Sequence, residues 1–193
     1  MLIAAAGVDP AFDTALSAVY CRLARAGNAE LTAALRYLSR YIELVDSRSA
    51  PRIAVLVGSI AVHGADPRPA VPPILSCLKT VAEAARYFAG AWREAAGTPP
   101  PAGLPDERWP GTVSAALGDS TEVAVDAWWA LPLWLAAARD VLPASPGDVG
   151  LPGADVHRVR EALDAVEPHL RSPSARRSCR DVGSRLAIAT VAP

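Results

Sequence analysis

The sequence is poor in the residues that most readily reveal a function. Lys79 is the only lysine among 19 basic residues, and 193 positions hold only three cysteines, three histidines and one methionine. Cys21, Cys77 and Cys179 are odd in number, far apart and never in a C-x-x-C pair, which argues against a disulfide framework. An excess of either charge is missing too. The net charge is −1, so nothing global favours nucleic acid or an anionic membrane as partner. Long apolar runs are absent: the most apolar passage, "VDAWWALPLWLAAARDVLP" at 125–143, has twelve uncharged residues between Asp126 and Arg139. A membrane-spanning helix needs about twenty. The opening "MLIAAAGVDP" lacks a positive region and its apolar run is short, which predicts no secretory leader and a reducing cytoplasm. Walker A, G-x-G-x-x-G, G-x-S-x-G and H-E-x-x-H patterns do not occur.

What is abundant is alanine, about a fifth of the chain, well above ordinary usage. Together with arginine in place of lysine, this marks the mutational bias of a high-GC bacterial genome. It also favours helices, because alanine has the best helix propensity. Hydrophobic residues make up 51%, enough for a real core in one domain of this length.

Apolar residues recur with helical period along most of the chain. Phe12, Leu16, Val19 and Leu23 form one stripe, with Gly27 placed for a left-handed cap. Leu31, Leu35, Leu38, Ile42 and Val45 form a second, predicting a helix over 29–46. The segment 51–64 is apolar almost all round; Pro51 at its start and Gly64 at its end favour a buried helix over a lone strand. A long helix fits 71–95. The five prolines of "GTPPPAGLPDERWPG", 97–111, then read as a semi-rigid connector. Beyond a short helix at 112–117, Asp119 and Glu122 have capping-box spacing for the tryptophan-rich helix, and Pro132 predicts a kink or break in it. "PASPGDVGLPG" reads as a loop, and two regular stripes follow at 156–170 and 175–189. The expected fold is all-α, about seven helices in antiparallel hairpins, as a short α-solenoid or an irregular bundle. Its organisation is an N-terminal helical half at 1–96, the connector at 97–111 and a C-terminal half at 112–193, within one domain overall.

Several constellations carry chemical potential, each beside a plainer explanation. Asp119, Glu122 and Asp126 share a helix face, as a cation site needs, but acidic groups in a first turn also satisfy free N–H groups. His157, Glu161 and Asp164 share another face, flanked by Arg158 and Arg160, and fit a solvated surface. Ser59 and His63 stand at i, i+4 without a third orienting group. No catalytic, metal or cofactor residue is therefore assigned. Trp128, Trp129 and Trp134 are candidates for a pocket wall. Arg176, Arg177, Arg180 and Arg185, in "RSPSARRSCRDVGSR", are candidates for contacting an anionic partner, although interleaved aromatics for stacking on nucleic acid are missing.

"VHRVREALDAVEPHLRSPSARRSCRDVGSRLA" runs helix, proline-containing turn, helix, with Arg176 and Arg177 near the start of the second helix. In this it resembles a HEAT-type repeat, chiefly over 156–190. That resemblance implies an α-solenoid whose concave surface binds a partner protein. The function expected is a non-catalytic scaffold or interaction module, with another protein or a second copy as partner. One alternative is a small-molecule-binding or enzymatic helical protein with a tryptophan-lined pocket. A second is nucleic-acid association through the basic C-terminal helix.

Overall fold

The computed structural model of the chain describes residues 10–23, 25–103, 105–142 and 152–189. Eight α-helices are described: α1 (Pro10–Leu23), α2 (Asn28–Ser39), α3 (Ala50–Val62), α4 (Val71–Ala96), α5 (Arg108–Leu117), α6 (Thr121–Val141), α7 (Gly153–Val166) and α8 (Pro173–Ala189). Single 3-10 turns lead into α4 and α6 and follow α7, and no strand occurs among the described residues. The fold is an all-α bundle. The Phe12 side chain, most of the "PASPGDVGLPG" loop and both chain ends lie outside the described residues.

The bundle is organised around α6. It packs chiefly on α4 and α3, with α5 and α8 on its other flanks, while α4 also packs on α7. Helices from both sides of the proline-rich connector thus share one apolar core. α7 and α8 form a hairpin, whereas α3 and α4, consecutive in the chain, both lie against α6. The α3–α6 contact is close because both helices present small residues. A Cβ on Gly58 would stand 3.1 Å from the Asp140 Cβ and 3.3 Å from the Ala137 Cα.

The segment 51–64 is a buried helix, as its proline and glycine punctuation predicts. Pro51 sits in the first turn, where no N–H is needed, and Gly64 ends the run at φ +105°. Ahead of it, the Asp46 carboxylate accepts the N–H groups of Arg48 and Ser49, both at 2.9 Å. Hydrogen bonding from the Ser49 side chain, then from these backbone groups, holds the Asp46 carboxyl below the usual range.

The structure differs from five local expectations. α2 stops at Ser39, whose hydroxyl donates to the Leu35 carbonyl at 2.7 Å and competes with the helical ladder. The chain continues in tight turns that still bury Ile42. Gly27 is extended (φ −76°, ψ 162°), standing before α2, with its N–H donating to Glu30. α5 begins at Arg108, inside the expected connector: Asp106 accepts the Arg108 N–H at 2.9 Å, and Pro110 falls in the first turn. The Asp119–Glu122 capping box does not form, because a 3-10 turn feeds α6 directly and the Thr121 hydroxyl donates to the Gly118 carbonyl at 2.7 Å. α6 itself runs without a break through Pro132.

Candidate functional site

The tryptophans of α6 separate. Trp128 points into an aromatic cluster with Phe88, Trp92 and Trp109; the Phe88–Trp128 ring centroids are 5.6 Å apart. Its indole N–H donates at 2.8 Å to the Pro101 carbonyl, which ties the proline-rich connector to α6. Trp129 is half-buried beside it, and Trp134 is buried on another side of the helix. Trp128 and Trp129 therefore share one cleft, while Trp134 backs a second. Helical geometry requires this, since positions six residues apart stand about 240° around the axis.

The first cleft, about 400 Å³, lies between the 101–103 turn, the Pro132 turn of α6 and the corner leading into α8. Trp128, Trp129, Leu133 and Leu170 give it apolar walls; Arg171 and Ser172 supply its polar side.

The second, about 420 Å³, is an open groove between the 42–50 turn, α4 and α6. Ile42, Ala127, Ala130 and Trp134 form its buried apolar floor. Ser47, Ser76, Thr80, Glu43 and Asp126 give its polar edge. Asp126 accepts a hydrogen bond from the Ser47 hydroxyl at 2.8 Å and pairs with Arg48 at 3.2 Å. Glu43 is exposed and has no ion-pair partner among the described residues. At the rim Val123 is 64% exposed, and Leu44, in sequence between the groove-lining Glu43 and Val45, is 76% exposed. Tyr37 and Tyr41 are exposed too, their rings tilted by 50° with centroids 4.9 Å apart.

The remaining expected constellations resolve individually. His63 Nδ1 lies 2.7 Å from the carbonyl of Ser59, so the imidazole is committed to backbone and does not serve the Ser59 hydroxyl. His157 and Glu161 form an exposed pair at 3.2 Å, the solvated face that their neighbours suggested. Of the acidic trio at the start of α6 and the turn before it, Asp126 is engaged with Ser47 and Arg48 while Asp119 and Glu122 are exposed. No group of three potential metal ligands forms among the described residues. Three of the four arginines of the basic helix have structural partners. Arg176 donates to the Leu170 carbonyl and Arg180 pairs with Glu167 at 3.4 Å. Arg185 donates to the carbonyls of Arg139 and Leu142 at 2.6 and 2.8 Å, closing the C-terminus of α6. Only Arg177 of these four is exposed without a partner among the described residues.

Two groups in the groove escaped the motif reading. Ser76 and Lys79 have the S-x-x-K spacing of some serine nucleophiles, a pattern visible in "SCLK". On α4, however, the Lys79 ammonium is turned to Glu83 at 3.5 Å, and it does not line the groove that Ser76 lines. Cys77 also lines the groove, and burial pushes its thiol up to about 11; burial takes Cys179 to about 12. Both are held as thiols at neutral pH and are weak nucleophiles. No described helix is long and apolar enough to cross a membrane. The chain matches no protein-family model, no curated protein and no solved structure.

Proposed function

We propose that this protein is a helical interaction module, whose α4–α6 groove receives an amphipathic helix with basic flanks from a partner protein. The observation that carries this reading is an apolar floor beneath an exposed apolar rim, edged by carboxylates. Leu44 and Val123 cost hydration free energy where they stand, and covering them would recover it. Tyr37 and Tyr41, also exposed, are of a residue type that often anchors interfaces. Glu43 and Asp126 are the only charged side chains among the described residues lining the groove; Asp126 is paired with Arg48, and Glu43 is the carboxylate left to meet a lysine or arginine. A helix laid in a groove would seat three or four side chains at i, i+3, i+4 and i+7 spacing, which suits the volume and open form of this one. The likeness of 156–190 to a HEAT-type repeat is compatible with such a role. The compartment that suits the protein is a reducing cytoplasm, with its three cysteines free.

The test uses a fluorescein-labelled helical peptide with leucines on one face and lysines on its flanks, and a second peptide with glutamates replacing the lysines. Anisotropy should report binding of the basic peptide that weakens with salt, and little binding of the acidic one. The double variant Leu44→Glu, Val123→Glu should abolish binding while its circular dichroism stays that of the parent. Equal binding of both peptides, or binding untouched by the double variant, would remove this groove from the account.

A further inference from the structure

We infer that the cleft beside Trp129 is a binding site for a small apolar carboxylate, its ring or hydrocarbon body between the tryptophan walls and its carboxylate on Arg171. This site lies on a different flank of α6 from the peptide groove and does not depend on it. Three observations meet here. The first is shape: at about 400 Å³, with Trp128, Trp129, Leu133 and Leu170 as walls, the cleft has the size and apolar character of a small-ligand site. The second is charge. Arg171 is exposed and has no ion-pair or hydrogen-bond partner among the described residues, and no carboxylate among them lines the cleft. The other arginines of this corner differ, since Arg176 and Arg180 are held by the Leu170 carbonyl and by Glu167.

The third is the supply of uncommitted polar groups. Trp128 commits its indole N–H to Pro101, but the Trp129 indole N–H has no acceptor among the described residues. A half-buried indole with an open N–H offers a donor beside an aromatic face. Arg171 and Ser172 immediately precede α8, so the positive end of that helix adds to the guanidinium. A planar, forked guanidinium matches a carboxylate better than it matches a neutral amide or a cation. Together these groups select an amphipathic anion over an amine, a sugar or a nucleotide. An amine would meet like charge. The cleft has too few polar side chains for a sugar, and its apolar walls leave no polar partners for the several charged groups of a polyphosphate beyond Arg171 and the start of α8.

The probe is 2-naphthoate, titrated by calorimetry into the full chain, with 2-naphthamide and 2-naphthylmethylamine as neutral and cationic counterparts. Naphthoate should bind, the amide roughly tenfold more weakly, and the amine not measurably; loss of one charge-assisted contact corresponds to about a tenfold change. Arg171→Gln alters an exposed side chain and should leave the fold intact while erasing the preference for naphthoate over naphthamide. Leu44→Glu, Val123→Glu, which disables the peptide groove, should leave naphthoate binding unchanged, so failure of one site is distinguishable from failure of the other. No naphthoate binding at millimolar concentration, equal affinity for acid and amide, or indifference to Arg171→Gln would each overturn the inference. So would a short peptide with an apolar C-terminal residue binding this cleft much more tightly than naphthoate, since the site would then be one for a chain terminus.

Discussion

Replacing Gly58 with alanine sets two effects of known size against each other. An alanine in mid-helix is more favourable than a glycine by about 0.8–1 kcal/mol, from backbone entropy and propensity alone. At Gly58 the new methyl would enter the α3–α6 contact, 3.1 Å from the Asp140 Cβ, 3.3 Å from the Ala137 Cα and 3.4 Å from the Ala137 carbonyl oxygen. Two of these three atoms are backbone of α6, which is itself held by α4, α5 and α8, so the pair cannot separate freely. Overpacking of this kind costs about 1–3 kcal/mol. The net expectation for Gly58→Ala is a loss of about 1 kcal/mol, and a larger one for Gly58→Val, whose branched side chain has no room to turn.

Gly90 and Gly183 are the controls. Both stand inside helices, α4 and α8, and neither has a heavy atom within 4 Å of where a Cβ would be. Gly90→Ala and Gly183→Ala should each stabilise by about 0.5–1 kcal/mol. In urea denaturation followed by circular dichroism, with a slope near 2 kcal/mol/M, these shifts are roughly 0.3–0.5 M in midpoint and of opposite sign to Gly58→Ala. If Gly58→Ala gained as much as Gly183→Ala, the close α3–α6 approach, and with it the register of α6 against α3, would be refuted.

Arg185 closes the end of α6 through two carbonyls more than forty residues away, and Arg185→Ala should cost about 2 kcal/mol, measured as a lower urea midpoint. Arg185→Lys keeps the charge but loses the forked geometry, so it should recover only part. Because burial raises the Cys77 and Cys179 thiols to about 11 and 12, their contribution to stability is complete below the unfolded value near 9 and is lost as pH rises through the folded values; a midpoint that falls between pH 9 and 10, and falls less in Cys77→Ala, Cys179→Ala, checks this. Native protein at pH 8 should also react slowly with a thiol reagent at these two positions. His169 has the opposite behaviour: burial, then the charges of Arg93 and Arg86, depress its proton affinity, and its Nδ1 is buried without a partner. Its contribution is present above the unfolded value of about 6.5 and is lost as pH falls through the depressed folded value, so His169→Phe should flatten the stability profile on the acid side.

Helix positions were legible because the relevant information is local. Leu31 and Leu35 are buried on α2, Ile74, Leu78, Ala85 and Phe88 on α4, and Val156, Val159, Leu163 and Val166 on α7, each set at the spacing its stripe predicted. Cap geometry was less legible, because it depends on competing hydrogen bonds one or two residues apart. Gly27 could serve the end of α1 or the start of α2, and the Glu30 carboxylate decided for the second. The clefts were the least legible. The α4–α6 groove draws on 42–50, 76–84 and 123–134, three segments whose apposition no periodicity encodes. Of Trp128, Trp129 and Trp134, the first two share a cleft and the third faces the other. The arginines of α8 illustrate the converse difficulty, since a run of exposed-looking cations carries no sign of the distant carbonyls that engage Arg185.

The composition of α6 follows from its position between two clefts and two close helical neighbours. Ala127, Ala130, Ala137 and Ala138 are buried and small, which lets α3 and α4 approach; such a helix cannot supply much apolar volume on those sides. The volume comes instead from tryptophans placed where the neighbours diverge, Trp128 against the aromatic cluster and Trp134 at the floor of the groove. Pro132 fits the same logic. It is exposed at the first cleft and has no N–H to contribute to the ladder of α6. A helix used only to fill a core gains nothing from a proline in mid-span, which costs about 3 kcal/mol there. Pro132 thus stands in an uninterrupted helix beside the cleft inferred above to take an apolar carboxylate, where an exposed position tolerates a residue that a buried helical ladder would not.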